Sequence, residues 1–176
     1  IKDALAYLRL IYQPDDRVSF ERVVNVPARG LGAKSLERLT EFSRRENIGI
    51  LEAAAQAKDI DGLTGRAVNS LTNFAHLIAS LRIASEEKSV SELTELMLKK
   101  SGYLDALDDR SLQAEDRIEN VKELISVAQQ FDNVGLAGFL EEIALISDVD
   151  NYSTAPDAVT LMTLHAAKGL EIPIVI

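Results

Sequence analysis

From Ala4 to Ile146 apolar residues recur at a spacing of about 3.6, segment after segment, broken only by glycines, prolines and short polar clusters. That pattern commits the chain to a mainly α, multi-helix fold. Ala4, Leu5, Leu8, Ile11 and Tyr12 predict a first helix, which Gln13-Pro14-Asp15-Asp16 ends because Pro14 disfavours a helical residue before it. Asp16 is placed to cap a second short helix holding Val18, Phe20, Val23 and Val24, which must stop before Pro27. The loop Pro27-Ala28-Arg29-Gly30-Leu31-Gly32 then leads into a third helix with Leu36, Leu39 and Phe42 on one face, giving a helix-hairpin-helix-like element. Further helices are predicted after Asn47-Ile48-Gly49, from Thr64 to Glu86, and from a cap at Ser89 or Ser91 to a stop at Ser101-Gly102. Tyr103, Leu104 and Leu107 mark a brief helical turn. Two more helices are expected, one through Ile118 to Ala128 and one from about Leu136 to Ile146.

The character changes after Asp148. Asp150 to Asp157 reads as a polar, proline-containing connector without periodicity, as expected at a domain edge. Beyond it, Ala158 to Met162 and Ile172 to Ile176 are β-type runs flanking a polar insert, and the last is apolar enough for a strand buried on both faces of a parallel sheet. Two short strands cannot make such a sheet, so the expectation is a piece of a larger protein: residues 1 to about 157 as one helical domain, 158–176 as a strand-loop-strand piece of another.

Composition narrows the chemistry. There is no cysteine, and only His76 and His165 could offer imidazole, so no metal site is expected. No apolar run approaches the roughly 20 residues of a spanning helix, and the expectation is a cytoplasmic protein without membrane contact. A formal net charge of −9 argues against nucleic acid when taken alone. Its distribution does not: Arg17, Arg22, Arg29, Lys34, Arg38, Arg44 and Arg45 outnumber Glu21, Glu37 and Glu41 between them, while Glu86 to Asp150 is dominated by Asp and Glu.

The basic stretch contains the glycine hairpin. Two glycines around Leu31 allow a tight turn and close backbone approach, and a helix starting near Ala33 offers unsatisfied N–H groups at its positive end. With Leu31 plugged into the core, and Arg29, Lys34 and Arg38 supplying charge, Arg29-Gly30-Leu31-Gly32 can act as a phosphate cradle that reads no sequence. An ordinary interhelical turn capped by glycine would look the same, and the residues alone leave both open. In the tail, His165 follows a predicted strand, where α/β sheets place ligand loops; a polar turn between strands is the plain alternative.

Val159-Thr160-Leu161-Met162-Thr163-Leu164-His165-Ala166-Ala167-Lys168-Gly169-Leu170-Glu171 resembles motif V of the UvrD/PcrA/Rep-type superfamily-one DNA helicases. Ile1 to Leu10, Val24 to Gly32 and Arg117-Ile118-Glu119-Asn120 resemble the same family in the same order. The resemblance implies that residues 1–157 are the helical 2B accessory domain and that 158–176 re-enter the RecA-like domain 2A. It implies a 3′ to 5′ helicase using ATP and Mg2+, with duplex DNA gripped at Arg29, Gly30, Leu31, Gly32 and Lys34, single-stranded DNA touched by Thr163 and His165, and the nucleotide reached by Gly169 and Glu171. Ala166-Ala167, where the family commonly has one Ser, and Ile172, where it has Phe, depart from the pattern. No G-x-x-x-x-G-K-[ST] run is present, so this stretch alone is not expected to bind or hydrolyse ATP.

Other residues suggest less. His76, between Phe74 and Leu77, has no partner at ligand spacing and reads as a surface histidine; Asp108-Asp109 and Glu141-Glu142 read as solvated faces. Arg117, Glu119 and Asn120 are expected in a helix-packing network. Two other functions fit the same sequence: a helical protein-interaction or autoinhibitory module docking repair proteins through its acidic half, and part of a RecB/AddA-type helicase-nuclease.

Overall fold

The computed structural model describes the backbone of residues 1–107 and 114–152 and the side chains up to residue 145. The expected strands at 158–162 and 172–176, the pair Asp108-Asp109, and the candidate residues Thr163, His165, Gly169 and Glu171 lie outside the described residues. Those described are mainly helical, as the periodicity predicts: α1 (Lys2–Tyr12), α2 (Arg17–Val23), α3 (Ala33–Glu46), α4 (Ile50–Ala55), a single 3-10 turn (Ala57–Asp59), α5 (Gly65–Ala84), α6 (Val90–Ser101), α7 (Tyr103–Leu107), α8 (Ala114–Gln129) and α9 (Leu136–Tyr152).

The helix ends follow local chemistry. Asp16 caps α2 by accepting from the Ser19 amide at 3.0 Å, and Thr64 caps α5 by accepting from Ala67. Of the two serines offered as a cap for α6, Ser89 takes the role, in a reciprocal box with Glu92. Asn47 and Gly102 stop α3 and α6 in the left-handed region, at φ 52° and 73°. Helix α9 departs from expectation by continuing to Tyr152, into the predicted connector. Polar residues do not end a helix by themselves, and the first strong breaker after Gly138 is Pro156.

Two compact units are distinguished, Ile1–Ile143 and Ala144–Ile176. In the first, α5 is the central rod, packed against α1, α4 and α6, while α1 also packs on α2 and α6 on α8. Phe74 of α5 sits 1% exposed at the centre, with Phe20 edge-on at 5.6 Å and Tyr7 tilted at 6.2 Å between ring centroids. Burying such a ring contributes about 1.5–3 kcal/mol. A second aromatic pair, Phe131 and Phe139 at 5.5 Å, ties the end of α8 to α9. Among the described residues, no helix is long and apolar enough to cross a membrane, and no group of three His, Asp or Glu side chains could hold a metal ion.

Candidate functional site

Sequence and packing together build the turn between α2 and α3. Leu31 is 5% exposed and enters the core, as a plug should, which pins the loop at its midpoint and leaves Gly30, Gly32, Ala33 and Lys34 at the surface. Gly30 takes φ +72°, a conformation costing an L side chain about 1 kcal/mol or more, so glycine is needed there for the bend itself. Gly32 is different. Its backbone is ordinary, at φ −86°, and a side-chain methyl built on it would meet nothing within 4 Å, so this glycine leaves open space in front of the α3 N-terminus.

The inward-facing polar groups of the loop are satisfied by side chains. Asn25 donates its Nδ2 to the Leu31 carbonyl at 3.1 Å, and its Oδ1 accepts from the amides of Arg29 (2.7 Å) and Leu31 (3.4 Å). Ser70 of α5 donates to the Arg29 carbonyl at 2.9 Å. The outward-facing groups are left over: among the described residues, no acceptor meets the amides of Gly30, Gly32, Ala33 or Lys34, and α3 has no side-chain cap. Four amides of exposed residues therefore lack an acceptor among the described residues, beside the positive end of a fourteen-residue helix.

Arg29 does not stand where the sequence reading puts it. Instead of projecting outward to meet an anion, its half-buried guanidinium turns into the body. Nη1 donates to the carbonyls of Val23, Val24 and Pro27 at 3.1–3.2 Å, and Nη2 donates to the Tyr7 hydroxyl at 2.7 Å. The group also lies over the Phe74 ring, 4.9 Å from its centroid. The physical reason is the end of α2, where carbonyls with acceptor capacity to spare and the negative dipole end attract a cation within reach. Tyr7 completes the arrangement by donating to the Val26 carbonyl. Burial pushes its phenol above the ordinary range, against a smaller lowering by Arg29, which keeps it a neutral donor.

The cations left facing outward are others. Lys34, on the first turn of α3, is exposed and has no ion pair among the described residues. Arg38 donates to the Asp61 carbonyl at 3.4 Å and lies against Gly62, bracing a second glycine turn, Asp61-Gly62-Leu63-Thr64-Gly65, that precedes α5. Arg66, which the sequence reading missed, comes from the start of α5, just after that second turn, to lie over Gly30. No local window could have found it, because the pairing spans 36 positions of chain. Arg17, Arg22 and Arg45 are paired with Glu21, Asp3 and Glu46.

Elsewhere the structure offers less. His76 is exposed, as expected. Glu119 and Asn120 are exposed too, and the Asn120 amide bonds the Asp116 carbonyl of its own helix at 2.7 Å, so these two face solvent instead of joining a packing network. The acidic face of α8 borders a shallow open depression with Asp116, Glu119, Lys122 and Glu123 on its rim, and nothing in it converges on a ligand.

Comparison with known proteins bears on the family of the chain. All of residues 1–176 match the family described as the UvrD-like helicase C-terminal domain. The ATP-dependent DNA helicase PcrA of Bacillus subtilis (strain 168) is 42% identical over 186 residues, covering 99% of this chain and 25% of that protein. PcrA of Leuconostoc citreum has the same identity and coverage, and PcrA of Staphylococcus epidermidis is 37% identical over 182 residues. The chain thus spans about a quarter of the length of the curated relatives it matches.

Proposed function

Because the chain belongs to the UvrD-like helicase C-terminal domain family, we propose that it is part of an ATP-dependent 3′ to 5′ DNA helicase and that its helical body, residues 1–157, is the 2B accessory domain. In this reading the turn Gly30-Leu31-Gly32-Ala33-Lys34 grips the backbone of duplex DNA and the body regulates unwinding. Residues 158–176 rejoin the motor as motif V, with Thr163 and His165 on the single strand and Gly169 and Glu171 toward ATP and its Mg2+. Those tail residues lie outside the described part, so no step is derived through the nucleotide.

The observation that carries the proposal is the set of unpartnered amides at the exposed residues Gly30, Gly32, Ala33 and Lys34, on the basic end of an otherwise acidic molecule. Amides and a lysine at a helix start attract phosphate without reading bases, which suits an enzyme acting on any duplex. Arg29 enters as the brace that holds this loop, and not as a phosphate ligand.

The test is a salt titration of the full-length protein on a blunt duplex, which offers no single-stranded tail to the motor. Lys34→Ala should weaken binding and flatten the dependence of log affinity on log salt by about one. An unchanged slope and affinity would remove the hairpin from the duplex interface and favour a protein-docking role for the same body.

A further inference from the structure

Packing alone does not account for a tyrosine at position 7. The ring is fully buried, tilted on Phe74 at 6.2 Å and edge-on to Tyr103 at 6.5 Å between centroids. A phenylalanine would fill that space equally well and spare the cost of burying a hydroxyl. What the hydroxyl adds is hydrogen bonds, and its partners among the described residues all lie at the root of the α2–α3 turn. It accepts from Arg29 Nη2 at 2.7 Å, donates to the Val26 carbonyl and approaches the Val23 carbonyl at 3.4 Å.

Three supports fix the residue that leads into Gly30. Asn25 accepts from the Arg29 amide at 2.7 Å, Ser70 of α5 donates to the Arg29 carbonyl at 2.9 Å, and Tyr7 of α1 takes the far end of the side chain. The other acceptor for Arg29 Nη2 is the Ser101 carbonyl at 3.5 Å, so the phenol is the closer hold. Four residues before Tyr7, on the same face of α1, Asp3 pairs with Arg22 at 2.7 Å and ties the end of α2 to the same helix. Helix α1 thus carries the turn at two points. Backbone donors serve a ligand only when held to within about 0.5 Å, so the supports behind Gly30 bear on what the surface can bind.

We propose that Tyr7 is a positioning residue of the duplex grip, setting the hairpin through Arg29 and the Val26 carbonyl without touching DNA. This rests on the reading of the hairpin as a duplex grip and adds to it a buried residue of another helix. Tyr7 is 0% exposed, so any effect it has on binding is passed through the loop.

The test compares Tyr7→Phe, Tyr103→Phe and Lys34→Ala in the full-length protein, by thermal melting and by a salt series on a blunt duplex. Tyr103 is the control, a buried phenol beside Tyr7 that makes no hydrogen bond to the turn among the described residues. Tyr7→Phe keeps the ring and therefore the fold. Its duplex affinity should fall about three- to tenfold while the log–log salt slope stays, because no charge is lost. Tyr103→Phe should bind as the wild type does. Combined with Lys34→Ala, Tyr7→Phe should cost less than it does alone, since both act on one phosphate contact, and a residue that only stabilised the fold would show no such coupling. If Tyr7→Phe binds like the wild type while Lys34→Ala binds more weakly, Tyr7 only packs the core and the hairpin reading stands. If Lys34→Ala is unchanged as well, both fall together. Additive losses, or equal losses in Tyr7→Phe and Tyr103→Phe, would trace the effect to a general loosening of the body and overturn the proposal.

Discussion

Two helix N-termini in this molecule are treated in opposite ways. The start of α6 is closed: Ser89 and Glu92 form a reciprocal cap, and Asp132, 41 positions away, accepts from the Ser91 amide and hydroxyl at 2.8 Å each. The start of α3 is left open, with glycine at the capping position, no side-chain cap and free space in front. A helix end with no outside business is best satisfied by its own protein, because each cap contributes about 1 kcal/mol. Leaving α3 uncapped forgoes that contribution, and the loop is instead stiffened from behind by Asn25, Ser70 and Arg29. Under the proposed duplex grip, the contrast separates a helix start that only holds the fold from one that can receive a phosphate.

Removing the brace should have the largest effect. Arg29→Ala takes the side-chain donor from the carbonyls of Val24 and Pro27 and from the Tyr7 hydroxyl, leaves the Val23 carbonyl with only the Val26 amide and the Tyr7 hydroxyl, and removes a cation from the end of α2. Loss of a half-buried charged donor to several acceptors is expected to cost about 3 kcal/mol, read as a clear fall in the denaturant midpoint. Arg29→Lys should recover only part, since one ammonium cannot span the same acceptors. A variant that melts like the wild type but fails to bind DNA would reverse the assignment and return Arg29 to the interface.

That pair of arginines also shows what the sequence could and could not reveal. Helix existence, the cap at Asp16, a cap at one of Ser89 and Ser91, and the plug at Leu31 are local properties, legible because a cap or a spacing acts within a few residues. The position of the hairpin was legible for the same reason. Whether an arginine there faces inward or outward depends on carbonyls at the end of α2 and on Tyr7, 22 positions upstream. Arg66 is further still from the turn it covers. The one local hint was Asn25, four residues before Arg29, a side chain prone to bonding nearby backbone. The connector expected from Asp150 misjudged α9 because polarity alone does not stop a helix.

Capping the open end should sharpen the contrast with opposite signs in two measurements. Gly32 already has the extended backbone of a capping residue, and a side chain there meets no neighbour, so Gly32→Asp can cap α3 as Asp16 caps α2. Stability should rise by a few tenths of a kcal/mol. Under the proposed grip, duplex binding should fall on the order of tenfold, since a carboxylate would then stand on the amides that the proposal assigns to phosphate. Equal or tighter binding by this variant would show that the open end is not where the phosphate sits.

Acid offers the mildest test, because it loosens the closed end and leaves the open one alone. Asp132 is held below the ordinary carboxylate range by the amide of Ser91 and then its hydroxyl. Burial pushes Asp16 upward, but the hydroxyl and amide of Ser19 and the Val18 amide outweigh it, and the net shift is downward. A carboxylate whose folded pKa is depressed contributes stability that is fully present above its unfolded value of about 3.9 and is lost as pH falls through the folded value. Stability should therefore decline from about pH 4 downward as the Ser91 clamp and the α2 cap are protonated, with no matching change at α3, which has no carboxylate cap to lose. In Asp132→Asn the amide oxygen can still accept from Ser91, so the fold survives while part of the acid slope disappears. Identical acid melting curves for the variant and the wild type would mean that the α6 clamp contributes nothing, and that the two helix starts differ in geometry without differing in energy.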